Sequence, residues 1–545
     1  MPLFIINPFL RACLNSNNFS MVAFFLDVVK LSNTKGIRKR NHMLSQTLPQ
    51  IQTNRWMRIF IFLHIVAWTL VPYFVRYTLP LDAMEGATWG HQLEWGYDKN
   101  PFLNGWLTAL AVNLDSHSGF AVYLLSQLSV GICFWAVWLL AKKMLPPVYA
   151  LVAVLLLEGI QYYNLHAIDF NDNTLELALW ALTSLCFYNA LKSEAKRDWL
   201  LTGLTAALGM MAKYYTAILL IPMALFLIAD RSGRRAWRQP GLYLGLMVFV
   251  AVITPHVIWL FTHDFVTVNY ALERISSVPM WSNHLIFPSE FSWQQFQAFL
   301  PPLILILLLF IGEKPKDIPT RIHLSVFDKR FLFYVGIGPF LLTILLSTLT
   351  GIKLRAGWGT PLLSLWGIIL ISWLQPQITP ARFYRFLLLF FILLGATLLG
   401  YATALIRADE PSSANFPGRF IAESLTREWH KTYHSPLPFV AGSRWFAGNI
   451  AFYSVDRPAV YIDWNKKVSP WINESEFTNK GAIFVWDNSE RKKYLSPAVL
   501  ARFKDLGPLR IMHFSWLRNR SLAPIEMTVA FLPPGGNDEA RVHYH

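Results

Sequence analysis

The run Pro240-Gly-Leu-Tyr-Leu-Gly-Leu-Met-Val-Phe-Val-Ala-Val-Ile-Thr-Pro-His-Val-Ile-Trp-Leu-Phe261 contains no charged side chain. At a helical rise of ~1.5 Å per residue, a stretch of roughly twenty apolar residues matches the hydrocarbon core of a bilayer. Arg231, Arg234, Arg235 and Arg238 precede it, and His263-Asp264 follows it. A basic flank at one end only is the mark of a membrane span with its basic end in the cytoplasm. Working outward, comparable spans are expected at 57–76, 118–141, 147–161, 173–191, 199–212, 214–229, 296–312, 331–350, 356–374 and 386–406. The chain therefore reads as a polytopic α-helical membrane protein with about eleven to thirteen transmembrane helices.

Composition agrees. Hydrophobic residues make up 54% of the 545 and charged residues only 15%, whereas soluble domains carry about a quarter charged. The net charge of +15 is spread over inter-span loops and forms no basic domain, which excludes a nucleic-acid partner and fits attraction to the lipid bilayer. Lys142, Lys143, Lys192, Lys196, Arg197, Lys329, Arg330, Arg382 and Arg385 fall on the same side as the arginines before Pro240. The opposite side has only Arg76, Lys99, Lys213, Arg274, Lys353 and Arg355. That bias places the sparse face outside, in the periplasm of a bacterial inner membrane. Of the three cysteines, Cys133 and Cys186 lie within spans, so neither a disulfide framework nor a cysteine zinc site is expected.

Three regions are expected. Residues 1–56 read as a cytoplasmic, largely disordered extension, with Met43 a more natural start than Met1; no small-residue cleavage site marks a signal peptide. Residues 57–406 form the transmembrane domain, with a long outer loop at 77–117. Residues 407–545 change to short apolar runs, Pro438–Gly442, Pro458–Asp463, Gly481–Asp487, Leu509–Trp516 and Met527–Leu532. With Ser443–Tyr453 as a helix between the first two, these runs spell a small periplasmic α/β domain.

The outer face gathers the acids and histidines. Its first loop reads Leu79-Pro-Leu-Asp-Ala-Met-Glu-Gly-Ala-Thr-Trp-Gly90 and continues Trp95-Gly-Tyr-Asp-Lys-Asn-Pro-Phe-Leu-Asn-Gly-Trp106. Asp169-Phe-Asn-Asp-Asn-Thr-Leu-Glu176 opens a later span. Ala212-Lys-Tyr-Tyr-Thr-Ala217 joins two more, and His256-Val-Ile-Trp259 runs into His263-Asp-Phe265. In order and spacing these elements resemble glycosyltransferase family 39, which includes dolichyl-phosphate-mannose protein mannosyltransferases and bacterial aminoarabinose and galacturonic acid transferases acting on lipid A. The resemblance covers about residues 57–400. The chain departs from the family where an adjacent Asp-Glu pair becomes Asp82 and Glu85 separated by two residues, and where a second proline becomes Phe102.

The resemblance implies a GT-C fold and an inverting transfer from a polyprenyl-phosphate sugar donor, of the undecaprenyl type, to a lipid, glycan or protein acceptor. Such a reaction needs a base within hydrogen-bond reach of the acceptor hydroxyl and cations against the leaving phosphate. Asp82 and Glu85, at i and i+3 on one helical face, are alternatives for the base, with Asp172 positioning donor or acceptor. An Asp-x-x-Glu helix cap explains the same pair. Lys99, Lys213, Lys353 and Arg355 are the phosphate candidates, and for Lys213 snorkelling is an equal reading. Trp89 and Tyr97 would offer faces to a sugar, with Trp95 and Trp106 beside them; interfacial anchoring competes with that role. His263 and Asp264 would orient substrate, or hold a divalent cation with Asp82 or Asp172. His256 reads as a packed intramembrane histidine. No cofactor is obligatory, and no dedicated metal site is spelled out. A transporter or flippase of a polyprenyl-linked sugar would use similar contacts without chemistry; against it, no inverted repeat is evident. An inactive relative that binds envelope partners through its C-terminal domain is a third reading.

Overall fold

In the computed structural model the described residues are 50–115, 118–276, 280–312, 322–408, 410–488, 497–518 and 521–535. Met43 and most of the expected N-terminal extension lie outside them. The last of that extension, from Gln50, is instead the opening of the first helix, Gln50–Val75.

Among the described residues, six helices are long and apolar enough to cross a membrane: Gln52–Val75, Phe120–Ala141, Asp172–Ser193, Pro240–Thr262, Val326–Thr350 and Pro380–Ile406. Two bent pairs, Pro147–Glu158 with Gln161–Ile168 and Ala356–Leu363 with Trp366–Leu374, raise the number to eight. The expected spans at 199–212, 214–229 and 296–312 are met by helices Lys196–Ala212, Ala217–Ala229 and Asn283–Leu307. These three stand outside the eight, on length or apolarity. The higher count of eleven therefore rests on shorter or more polar helices packed among the longer ones.

Lipid gives helices little hydrophobic reason to associate, so close backbone packing has to supply it. Gly203 illustrates this: a Cβ there would stand 2.0 Å from the Gly245 carbonyl oxygen. Helices Lys196–Ala212 and Pro240–Thr262 thus meet backbone to backbone. At the basic end of the bundle, Arg330 pairs with Asp230 at 3.1 Å and Arg235 with Glu194 at 3.4 Å. Lys192 lies over the Phe327 ring at 3.9 Å. The loops read as one basic face from charge alone are neighbours in space.

The five expected strands all form: β1 Phe439–Gly442, β2 Ala459–Ile462, β3 Ala482–Asp487, β4 Arg510–Phe514 and β5 Ile525–Leu532. They make one sheet in the order β2-β1-β3-β5-β4. β1 pairs parallel with β2 and β3, while β5 runs antiparallel to β3 and β4. The helix read at Ser443–Tyr453 is Arg444–Tyr453, capped by the Ser443 side chain accepting from the Phe446 N–H. A single apolar core joins the sheet domain to the membrane bundle, with Trp68, Met84 and Phe170 on one side and Trp429, Ile450 and Val485 on the other. That shared core seats the C-terminal domain on the helix Leu81–Gly90 and fixes what faces the acids there.

Candidate active site

Leu81–Gly90 is too short to stand alone in water, so its position comes from what holds its ends and faces. Its first residue follows Pro80, which offers no side-chain cap. The orphan amides are taken by Asp169, whose Oδ1 accepts from the Ala83 N–H at 2.8 Å and Oδ2 from the Asp82 N–H at 3.3 Å. The capping that was the alternative reading of Asp82 is therefore supplied by another segment, and the Asp82 side chain is left for other partners.

Asn171 links the two acidic motifs. Its Oδ1 caps the span Asp172–Ser193 by accepting from the Thr174 N–H, and its Nδ2 donates to Asp82 Oδ2 at 3.0 Å. Asp172 pairs with Lys213 at 2.7 Å, and Lys213 also donates to Asn173 Oδ1 at 2.5 Å. Lys213 is thus a site cation turned toward carboxylates, and snorkelling does not describe it. The Trp358 indole lies 5.8 Å from its ammonium, on the segment that begins with the exposed Lys353 and Arg355. Lys353 stands over Phe287. Among the described residues neither of these two cations forms an ion pair with an acid.

One turn along, Glu85 accepts from two cations. Lys99 reaches its Oε1 at 2.7 Å, and Arg444 of the C-terminal domain donates from Nη1 to the same oxygen at 2.7 Å. Arg444 also binds Asp98 through both Nη atoms, with Nη1 to Oδ1 at 3.3 Å. Asp82, Glu85, Asp98, Asp169 and Asp172 are thereby gathered with three cations, Lys99, Lys213 and Arg444. The surplus of acid has a consequence. Burial, and next the Asp172 charge, raise the Asp82 pKa above the usual carboxylate range. Burial, then Asp82, raise Asp169. Burial raises Glu85 against the opposing pull of Arg444 and Lys99. A desolvated carboxylate of raised pKa is a suitable proton acceptor.

The aromatic residues sort differently from expectation. Trp89 and Tyr97 are buried and stacked on each other with centroids 5.3 Å apart, and Trp471 closes edge-on at 6.2 Å from Tyr97. Their faces are occupied by each other, so they set the shape of the loop and do not present a sugar platform. Gly105 permits this, since a Cβ there would meet the Tyr97 ring at 2.6 Å. Trp95, packed against Phe102 and Trp106, keeps an exposed edge. His256 is packed as read, bonded to the Tyr214 hydroxyl at 2.5 Å and the Trp95 carbonyl at 2.7 Å. His263 stacks on Trp259, whose indole N–H donates to Glu94 Oε2 at 3.0 Å. Asp264 is exposed with a left-handed backbone, φ 52°. Among the described residues no three His, Cys, Asp or Glu side chains converge to hold a metal ion. The arrangement considered for His263 and Asp264 with Asp82 or Asp172 is not assembled.

A bundle of membrane-spanning helices with a short helix at one mouth and a small sheet domain packed over it belongs to the GT-C class of fold. The comparisons agree with that class and with the motif resemblance. A family model described as dolichyl-phosphate-mannose-protein mannosyltransferase matches residues 99–259. Two curated relatives from Rhizobium johnstonii are named lipopolysaccharide core galacturonosyltransferases RgtA and RgtB. RgtA is 24% identical over 36% of this chain and 39% of its own, and RgtB 28% over 42% and 47%. The chain spans less than half the length of either relative. Two crystal structures of ArnT from Cupriavidus metallidurans share the fold, each with a TM-score of 0.55. The apo form is 12% identical, covering 88% of this chain and 98% of that one. The form bound to undecaprenyl phosphate is 13% identical, covering 88% and 99%. The family model and the curated relatives carry the sequence likeness, and the ArnT structures carry the fold. The chain is a multi-pass membrane protein similar to the family 39 glycosyltransferases.

Proposed function

We propose that this protein is an inverting membrane glycosyltransferase that moves a sugar from a polyprenyl-phosphate donor to a cell-envelope acceptor. The reaction would take place at the periplasmic face of a bacterial inner membrane. The observation that carries the reading is Asp82, a half-buried carboxylate of raised pKa flanked by the Asp172–Lys213 pair and the Lys99–Glu85 pair. Asp82 takes the proton from an acceptor hydroxyl as that oxygen bonds to the anomeric carbon. The bond from that carbon to the phosphate oxygen breaks, and its electron pair leaves with the polyprenyl phosphate. Lys99 and Lys213 stabilise the charge that grows there, exchanging a carboxylate partner for a phosphate oxygen. Support comes from the ArnT structure holding undecaprenyl phosphate and from curated relatives named for transfer to lipopolysaccharide core.

The test is transfer from a radiolabelled undecaprenyl-phosphate sugar to envelope extract by the purified protein. Loss of transfer in Asp82→Asn, with Glu85→Gln retaining part of it, is the expected result. Full activity in the Asp82→Asn, Glu85→Gln double variant excludes the proposed base. Translocation of the donor in proteoliposomes without a covalent product would establish a flippase in its place.

A further inference from the structure

Helix Leu81–Gly90 has two faces with different neighbours. At ~100° per residue, Asp82, Glu85 and Trp89 share one side, and Ala87, Thr88 and His91 fall on the other. The second side walls a cavity of about 250 Å³ between this helix, the helix Leu103–Asp115 and the C-terminal domain's Arg444–Tyr453. Among the described residues the polar lining is Thr88, His91, Asn113 and Arg457, with no carboxylate. Arg457 reaches across the domain boundary to donate from Nη1 to Asn113 Oδ1 at 3.2 Å. Its backbone is left-handed, φ 49°. Phe452 and Ala451 complete an apolar wall.

We infer that this cavity is a second ligand site, one that takes the anionic group, phosphate or carboxylate, of a sugar on the acceptor. A guanidinium presents a fork of N–H donors matched to a phosphate or carboxylate. The apolar wall suits a pyranose ring, and among the described residues no acid lines the cavity to oppose an anion. The site stands across helix Leu81–Gly90 from Asp82, so the sugar gripped here belongs to a different part of the acceptor from the one that carries the reacting hydroxyl. The word acceptor rests on the transferase reading, whereas the anion preference rests on the cavity alone.

The probes are glucose 6-phosphate, glucose and glycerol 3-phosphate, with binding to the full-length protein in uncharged detergent followed by saturation-transfer NMR. Glucose 6-phosphate is expected to bind at least tenfold more tightly than glucose or glycerol 3-phosphate. Arg457→Gln should weaken it at least tenfold, Arg457→Lys less, and Ala451→Leu should abolish it by filling the cavity. Asn113→Ala serves as a second route to a loosened Arg457 should a variant fail to fold. Equal binding of glucose, undiminished binding by Arg457→Gln, or no binding by the wild type overturns the inference. Glycerol 3-phosphate binding as tightly as the sugar phosphate assigns the cavity to a lipid headgroup, which also overturns it. Because binding needs no turnover, a protein that transfers sugar without this site defeats only the inference, and one that binds without transferring defeats only the reaction.

Discussion

Replacing Arg444 with methionine removes a charge from between two carboxylates and leaves a side chain of similar length. Glu85 and Asp98 are only 10% and 6% exposed, and Arg444 itself 21%. Glu85 would keep Lys99 at 2.7 Å, but Asp98 would lose its guanidinium. Taking one partner from a buried pair costs about 3–5 kcal/mol, because the remaining charge stays desolvated. Here that cost falls on the seat of the C-terminal domain, since Arg444 belongs to that domain and both acids to the first outer loop. At about 1.4 kcal/mol per decade, the undocked population should rise by roughly two to three and a half powers of ten. Native-state proteolysis of the purified protein reads that population when reclosing outpaces cleavage. Adding Glu85→Gln and Asp98→Asn to Arg444→Met should recover most of the loss, because neutral amides carry no stranded charge. The reasoning is refuted if Arg444→Met is cleaved at the wild-type rate, or if the triple variant is as open as the single one.

Three further outcomes follow from the same structure. Asp82→Asn should lose about 10²–10⁴ of any transfer rate. It should also be no less heat-stable than the wild type, with an advantage that grows as pH climbs from the ordinary carboxylate value of 3.8 through the raised one and is level above it. The sign follows because an acid with a raised folded-state pKa favours the fold only while protonated, and calorimetry at several pH values checks it. Lys213→Met should strand Asp172, lowering both transfer and unfolding temperature. Adding Asp172→Asn should restore the temperature and leave transfer lost, measured on the same preparations. Gly203→Val should destabilise the bundle by about 1–3 kcal/mol through its clash with the Gly245 carbonyl. Gly395→Val, where a Cβ meets nothing within 4 Å, should unfold in detergent like the wild type.

The elements legible in the sequence are those whose signal is local. Apolar run length marks the helices Phe120–Ala141, Pro240–Thr262 and Pro380–Ile406, and alternation with turn residues marks all five strands. The acids and Lys99 and Lys213 are also legible, because each sits in a short motif. What stays hidden is pairing across long separations. Arg444 lies 359 residues from Glu85, and nothing near Gly442-Ser-Arg-Trp445 distinguishes it from an ordinary helix start. Asp169 as the cap of a helix 86 residues away is equally invisible, since a capping carboxylate is normally sought next to the helix it caps. Trp89 and Tyr97 show the converse. Their type suits a sugar, and only the stacked geometry reveals that each already covers the other.

The charge count makes the C-terminal domain part of the proposed site. Five carboxylates face Lys99, Lys213 and Arg444 there, with Arg76 acting on Asp169, before any donor arrives, and a donor phosphate adds further negative charge. Burial that raises the Asp169 pKa relieves part of this by favouring its neutral form. Lys99 must then turn from Glu85 to the phosphate, which would strand Glu85 if it had no second cation. Arg444 is that cation, on the same carboxylate oxygen at the same 2.7 Å. A membrane domain lacking the C-terminal domain would hold Lys99 to Glu85 in an ion pair with no substitute, and the donor would compete with it at a cost. It follows that Arg444→Met should weaken donor binding in wild-type Glu85 protein and should not do so once Glu85 is glutamine. Titrating undecaprenyl phosphate against the four variants of that cycle measures the coupling, and a coupling of zero would show that the domain sits over the site without taking part in it.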